Sequence, residues 1–166
     1  SMRSHFAELV ELHLGESKKD SASLFVVEIG CNDGTLLDFV RVRGVRHLGI
    51  DPSSNVVEKA RAKGISAEVG FFGKDLAAEV SLRGSKADYI FAANVICHIP
   101  DINDFVKGVK IALKPNGVNT FEFATEPDES NFESTVSIKF GYLLTPTIGN
   151  LLWLINFIFS SSSSSL

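Results

Sequence analysis

Cysteine is scarce: Cys31 and Cys97 are the two in 166 residues, so no disulfide framework holds this fold. The histidines, His5, His13, His47 and His98, are scattered, and no zinc-ligand spacing results; no metal site is expected. Positive charge is also short. Lys plus Arg number 16 against 20 for Asp plus Glu, a net charge of -4, and nothing calls for the basic face of a nucleic-acid binder. Ser1-Met2 reads as an expression scar. Arg3-Ser4-His5-Phe6-Ala7-Glu8 is polar where the apolar core of a signal peptide would sit, so a cytoplasmic protein is expected. A last absence concerns the end of the chain. Positions 140–166 carry no charge and include the run Ser160–Ser165, a flexible tail in expectation.

What is present is one domain's worth of core, with 45% hydrophobic and 22% charged residues. Phe6, Leu9, Val10 and His13 to Leu14 fall at helical spacing, which predicts an amphipathic helix over 5–14. Beyond a solvated linker to residue 23, short β-branched runs alternate with helical ones. Strands are expected at 24–29, 45–50, 65–69, 87–93 and 118–123, and helices at 35–43, 53–63, 74–82 and 102–113. Ser53 or Ser54 is the expected N-cap of the second of these helices, and Gly44 and Gly64 are expected stops. This alternation specifies βαβ units, hence an α/β, doubly wound, mostly parallel sheet with helices on both faces. The expected organisation is an N-terminal helix and linker over 1–23, a core over 24–159, and a Ser-rich end over 160–166.

The sharpest motif is Val27-Glu28-Ile29-Gly30-Cys31-Asn32-Asp33-Gly34. Gly30 lets the chain leave the first strand in a tight turn, and Gly34 would let a ligand approach the start of the next helix. The glycine spacing is not that of a dinucleotide cradle. Glu28 suits a cationic or hydroxylated ligand better than a phosphate. Asp51 ends the second strand in Gly49-Ile50-Asp51-Pro52, where a carboxylate can accept hydrogen bonds from ribose hydroxyls or cap the next helix.

Glu28-x-Gly-x-x-x-Gly34, Asp51 and Leu113-Lys-Pro-Asn-Gly117, in this order of elements, resemble the class I S-adenosylmethionine-dependent methyltransferases, whose fold is Rossmann-like. The stretches 26–37 and 49–53, Val69-Gly-Phe-Phe-Gly73 and Ala92-Ala-Asn-Val-Ile-Cys-His-Ile-Pro-Asp101 are similar to the sugar C-methyltransferases acting on nucleotide-linked keto-deoxysugars. The resemblance covers about residues 24–123 and implies S-adenosylmethionine as cofactor and S-adenosylhomocysteine as product. It further implies that Gly30, Cys31, Asn32 and Gly34 line the methionine portion, and that Glu28 orients the loop or meets the amino group. Asp51, followed by Pro52, would hold the ribose, and Phe71 and Phe72 the adenine, unless these two rings are simple core. Asn94 and His98 fall where that family faces its substrate. His98 is the candidate base or oxyanion partner for carbon methylation, or else a capping loop residue, and Cys97 is read as buried packing.

The expected function is methyl transfer to a small molecule, with carbon methylation of a nucleotide-linked sugar as the finer reading. The alternatives are O- or N-methylation, or cofactor binding without turnover. The last arises because the family's Tyr-His-Glu-His cluster has no counterpart in Ala124–Lys139, and its Cys- and His-rich zinc segment has none either. Asn94-Val-Ile-Cys97 departs from the signature of amino-directed nucleic-acid enzymes. Three readings stand for the end of the chain. Thr135–Leu144 and Leu151–Phe159 could supply final strands; Phe140–Phe159 could span a bilayer, against which Pro146, Gly149, Asn150 and Asn156 argue; or the segment is alien to the fold.

Overall fold

The computed structural model describes residues 2–15, 19–93, 95, 98–124 and 135–141. Helix α1 (Met2–Val10) and a π turn (Glu11–Gly15) precede the alternating elements. These are β1 (Phe25–Ile29), α2 (Thr35–Arg41), β2 (Arg46–Asp51), α3 (Ser54–Ala62), β3 (Ala67–Val69), α4 (Lys74–Arg83), β4 (Ala87–Ala93), α5 (Ile102–Ala112) and β5 (Leu113–Ala124), followed by β6 (Thr135–Gly141). They form a six-stranded sheet in the order β3-β2-β1-β4-β5-β6. The first five strands are parallel, and β6 runs antiparallel to β5. The doubly wound expectation therefore holds.

Side chains alternate across each strand, and every residue of β1 is buried, so the sheet needs a layer on each face. On one face Leu9 and Val10 of α1, Leu36, Leu37 and Val40 of α2, and Val57 and Ala60 of α3 pack around Val26 and Phe91. On the other, Ala77 and Val80 of α4 and Phe105, Val106 and Val109 of α5 pack around Val27, Ile90 and Phe121. The winding reverses between β1 and β4, and crevices at such switch points are where open α/β sheets bind ligands.

Three details depart from the periodicity. The N-terminal helix stops at Val10 and widens into the π turn, which carries His13 inward until 4% of it is exposed. The Leu9 carbonyl can only accept, so Nδ1 donates to it (2.9 Å); in the neutral ring Nε2 accepts from Thr120 Oγ1 (2.8 Å). The fifth strand starts at Leu113 instead of 118. Leu113 pairs with Ala87 and Val118 with Tyr89, so Lys114-Pro-Asn-Gly117 bulges out of register between them. Ser53 is the N-cap of α3, but its hydroxyl makes no capping bond. Gly64 closes α3 with φ +82°, as its position predicts.

At the amino edge of the sheet Asp88, buried, accepts from Lys19 Nζ (2.7 Å), Lys114 Nζ (2.7 Å) and the Phe25 N–H (3.0 Å). Burial alone would raise this carboxyl, but the two lysines and the amide outweigh it and hold it below the ordinary carboxylate range. Of the two strands expected near the end of the chain, Thr135–Gly141 is present, while residues 142–166 lie outside the described residues. Among the described residues no helix is long and apolar enough to cross a membrane.

Asn119, on the α5 face of β5, is fully buried, and among the described residues neither its Oδ1 nor its Nδ2 has a hydrogen-bond partner. A desolvated amide without partners is a net cost. Asn119→Val is therefore expected to stabilise the fold by about 1–2 kcal/mol, seen as a higher midpoint in thermal unfolding; a lower one would show that the amide is satisfied.

Candidate functional site

Where β1 ends, the chain turns on Gly30 (φ +72°), and the amides of Gly30 and Cys31 both reach the Ile50 carbonyl of β2, at 2.7 and 3.2 Å. The β1–β2 pairing thus continues one residue past the strand. Gly30 has no room for a side chain, because a Cβ there would overlap Val95 Cγ2. Asn32 then adopts φ +49°, a left-handed conformation that costs a non-glycine residue free energy. What holds it is Asp51, whose Oδ2 accepts the Asn32 amide (3.0 Å) while Oδ1 accepts the Ser53 amide (2.9 Å). One carboxylate at the end of β2 therefore ties the loop after β1 to the loop after its own strand. Two of its roughly four acceptor sites are used, which leaves capacity toward solvent.

Asp33 completes the loop. Its Oδ1 accepts from Thr35 Oγ1 (2.7 Å), and its Oδ2 accepts from Lys63 Nζ (2.6 Å). Lys63 and then Thr35 hold the Asp33 carboxyl below its ordinary value. Cys31 turns the other way. Its side chain is buried, and a Cβ built at Gly49 would lie 2.5 Å from Sγ. Burial, then the Glu28 and Asp51 carboxylates, push the thiol up to about 12, so it stays protonated and packs.

Two adjoining cavities open at this edge. The first, of about 360 Å³, lies on the α1–α3 side and is walled by Glu28, Asn32, Asp33, Asp51, Thr35 and Phe6, among others. Its described lining holds three carboxylates, Glu28, Asp33 and Asp51, and neither lysine nor arginine. The second, of about 310 Å³, lies on the α4–α5 side and is mostly apolar, walled by Phe71, Phe72, Ile99, Pro100 and Phe105 together with Asp101 and Asp104. Gly30, Pro52, Val95 and His98 belong to both.

Most residues singled out from the sequence therefore meet in one place: Glu28, Gly30, Cys31, Asn32, Asp51, Pro52 and His98 wall the first cavity. Phe72 packs edge-on against the Phe105 ring (5.6 Å between centroids), whereas Phe71 is 80% exposed; both border the second cavity. Gly34 stands apart from these residues. It borders neither cavity, and a Cβ there would sit 2.9 Å from Ile65 Cγ1 and 3.1 Å from Ala60 Cβ. This glycine lets α2 approach α3 and Ile65. Asn94 and Cys97 lie outside the described residues. Sequence reasoning passed over Thr35, Lys63 and Val95. Thr35 at the start of a helix was a readable signal; the other two depend on contacts across the fold.

Residues 27–119 match the model of the methyltransferase domain family. The chain belongs to that family. The resemblance to class I S-adenosylmethionine-dependent methyltransferases is thereby established. Among relatives, the C-methyltransferase NovU of Streptomyces niveus is 30% identical over 118 residues, 71% of this chain and 28% of its own. A ubiquinone biosynthesis O-methyltransferase of Methylobacterium sp. (strain 4-46) is 31% identical over 99 residues, 58% of this chain and 39% of its own. The chain thus spans well under half the length of these relatives. Among solved structures the CurJ carbon methyltransferase superposes with a TM-score of 0.58 at 17% identity, covering 75% of this chain and 35% of that one. It shares the fold.

Two glycines separate backbone strain from crowding. Gly44 has the same sign of φ (+70°) as Gly30, but among the described residues nothing lies within 4 Å of its would-be Cβ. Gly44→Ala should cost the left-handed term alone, about 1–2 kcal/mol. Gly30→Ala should cost at least about 1 kcal/mol more, because Val95 must move. Equal losses in chemical denaturation would show that Val95 does not press on the turn.

Proposed function

We propose that this chain binds S-adenosylmethionine across the two cavities and serves methyl transfer to a small-molecule acceptor, with carbon of a nucleotide-linked sugar as the finer reading. The observation that carries the cofactor is the acidic first cavity. S-adenosylmethionine bears a sulfonium and an ammonium, which Glu28, Asp33 and Asp51 complement. A phosphate-bearing dinucleotide would meet three carboxylates with no cation opposite. The lining thus fits the family's cofactor. In this reading Glu28 and the loop of Gly30, Cys31 and Asn32 receive the methionine portion, and Asp51 beside Pro52 accepts from the ribose. Phe71 and Phe72 flank the adenine in the apolar cavity, where an aromatic face suits a flat base.

When bound, the cofactor supplies an electrophilic methyl group, so the protein's task is mainly to orient the acceptor and exclude water. His98 borders both cavities, and its amide donates to the Val95 carbonyl (2.9 Å), which fixes its backbone next to the turn. Placed there, its imidazole would take a proton from carbon beside a ketone, or hold the resulting oxygen anion; Asn94, four residues earlier, would assist. Likeness to NovU supports carbon methylation, and likeness to the O-methyltransferase supports a second reading in which oxygen is the acceptor atom.

Calorimetry is expected to show saturable binding of both S-adenosylmethionine and S-adenosylhomocysteine, with Asp51→Ala weakening each by on the order of 1–3 kcal/mol. No heat from either ligand would sink the cofactor assignment. His98→Ala is expected to slow carbon methylation by roughly 100-fold or more while leaving the affinity for S-adenosylhomocysteine within about twofold. Unimpaired turnover would remove His98 from the chemistry.

A further inference from the structure

We propose that Lys63 is a positioning residue that latches the cofactor loop from α3; the inference rests on the reading of residues 30–33 as that loop. Helix α3 ends with Gly64 in the left-handed region, the Gly64 amide on the Arg61 carbonyl (2.9 Å) and the Ile65 amide on the Ala60 carbonyl (3.1 Å). This closed terminus fixes Lys63 at the C-cap, next to the point where Ala60 and Ile65 abut Gly34. From there Nζ donates to the Asp33 carbonyl (3.0 Å) and to Asp33 Oδ2 (2.6 Å), a two-point grip on backbone and side chain together.

The grip falls where the loop needs it. Asn32 holds an unfavourable backbone conformation, and its tie to Asp51 fixes the amide side only. Lys63 fixes the next residue from a different element, so residues 32 and 33 are clamped from β2 and α3 at once. Both members of the pair are about two-fifths exposed, so it adds little to global stability. Its effect is local: without it the loop samples conformations in which the cavity wall is misplaced, and binding must then reorder it.

Electrostatics gives a control of opposite sign. Removing a positive charge beside a cavity walled by Glu28, Asp33 and Asp51 would, by Coulomb's law alone, favour a cationic ligand. A weakening on loss of Lys63 is therefore a positional effect. The test titrates S-adenosylmethionine and S-adenosylhomocysteine into the wild type, Lys63→Met and Lys63→Arg, with thermal unfolding in parallel. Lys63→Met is expected to weaken both ligands by about three- to tenfold with a nearly unchanged midpoint, and Lys63→Arg to restore most of the loss. Unchanged or tighter binding by Lys63→Met, or no rescue by arginine, overturns the latch while the cofactor reading stands. A wild type that binds neither ligand overturns both.

Discussion

The Asp51 carboxylate is the constraint on which this edge of the sheet depends. It is the last residue of β2, and it spends one oxygen on each of two loops that leave neighbouring strands. Because β1 and β2 pair in register as far as Ile29 and Ile50, the carboxylate is delivered beside the turn at Gly30 without any adjustment of its own. The amides it accepts belong to residues that no helix or strand ladder would satisfy. Asn32 can therefore hold a backbone conformation that its side chain disfavours, and the wall of the first cavity has a defined shape.

That cavity owes its chemistry to the sheet's winding. Glu28 points to the α1–α3 face because β1 alternates, while Val27 and Ile29 face α4 and α5. The same alternation divides the crevice at the β1–β4 switch into a half lined by Glu28, Asp33 and Asp51 and a half lined mostly by apolar side chains, with Asp101 and Asp104 among them, and Val95 is seated against Gly30 where the two meet. A ligand that is cationic at one end and flat and aromatic at the other matches this division along its length. Helix α1 also contributes, since Phe6 walls the acidic half. The buried contact between His13 and Thr120 anchors the π turn that follows that helix.

Much of this was legible in the sequence for a physical reason. Buried parallel strands must be continuous apolar runs, so Phe25–Ile29 and Ala87–Ala93 are visible without any knowledge of their neighbours. Glu28, Gly30 and Asp51 stood out because an acid or a glycine at a strand's end interrupts such a run. What could not be read depends on partners far along the chain. His13 lies 107 positions from Thr120, and no local pattern announces that a helix will widen there to bring them together. The spacing of Gly34 marks it as a special position, but the packing of Ala60 and Ile65 against it is invisible in the local sequence. Ser53 looked like a side-chain cap, but the carboxylate two residues earlier takes its amide.

The acidic character of the site bears on the loop that forms it. Glu28, Asp33 and Asp51 crowd one cavity, and like charges at close range repel unless each is compensated. Asp51 is compensated by backbone amides, and Asp33 by a hydroxyl and a lysine ammonium. The compensation comes from the loops and from α3, and the cavity's described lining holds no lysine or arginine that would meet a cationic ligand directly. Had a lysine or arginine projected into the cavity to do the same work, a cationic ligand would have been turned away. The counter-charge on Asp33 comes from a lysine outside the described lining of the cavity, which is why a surface residue of this kind belongs to the account of the site.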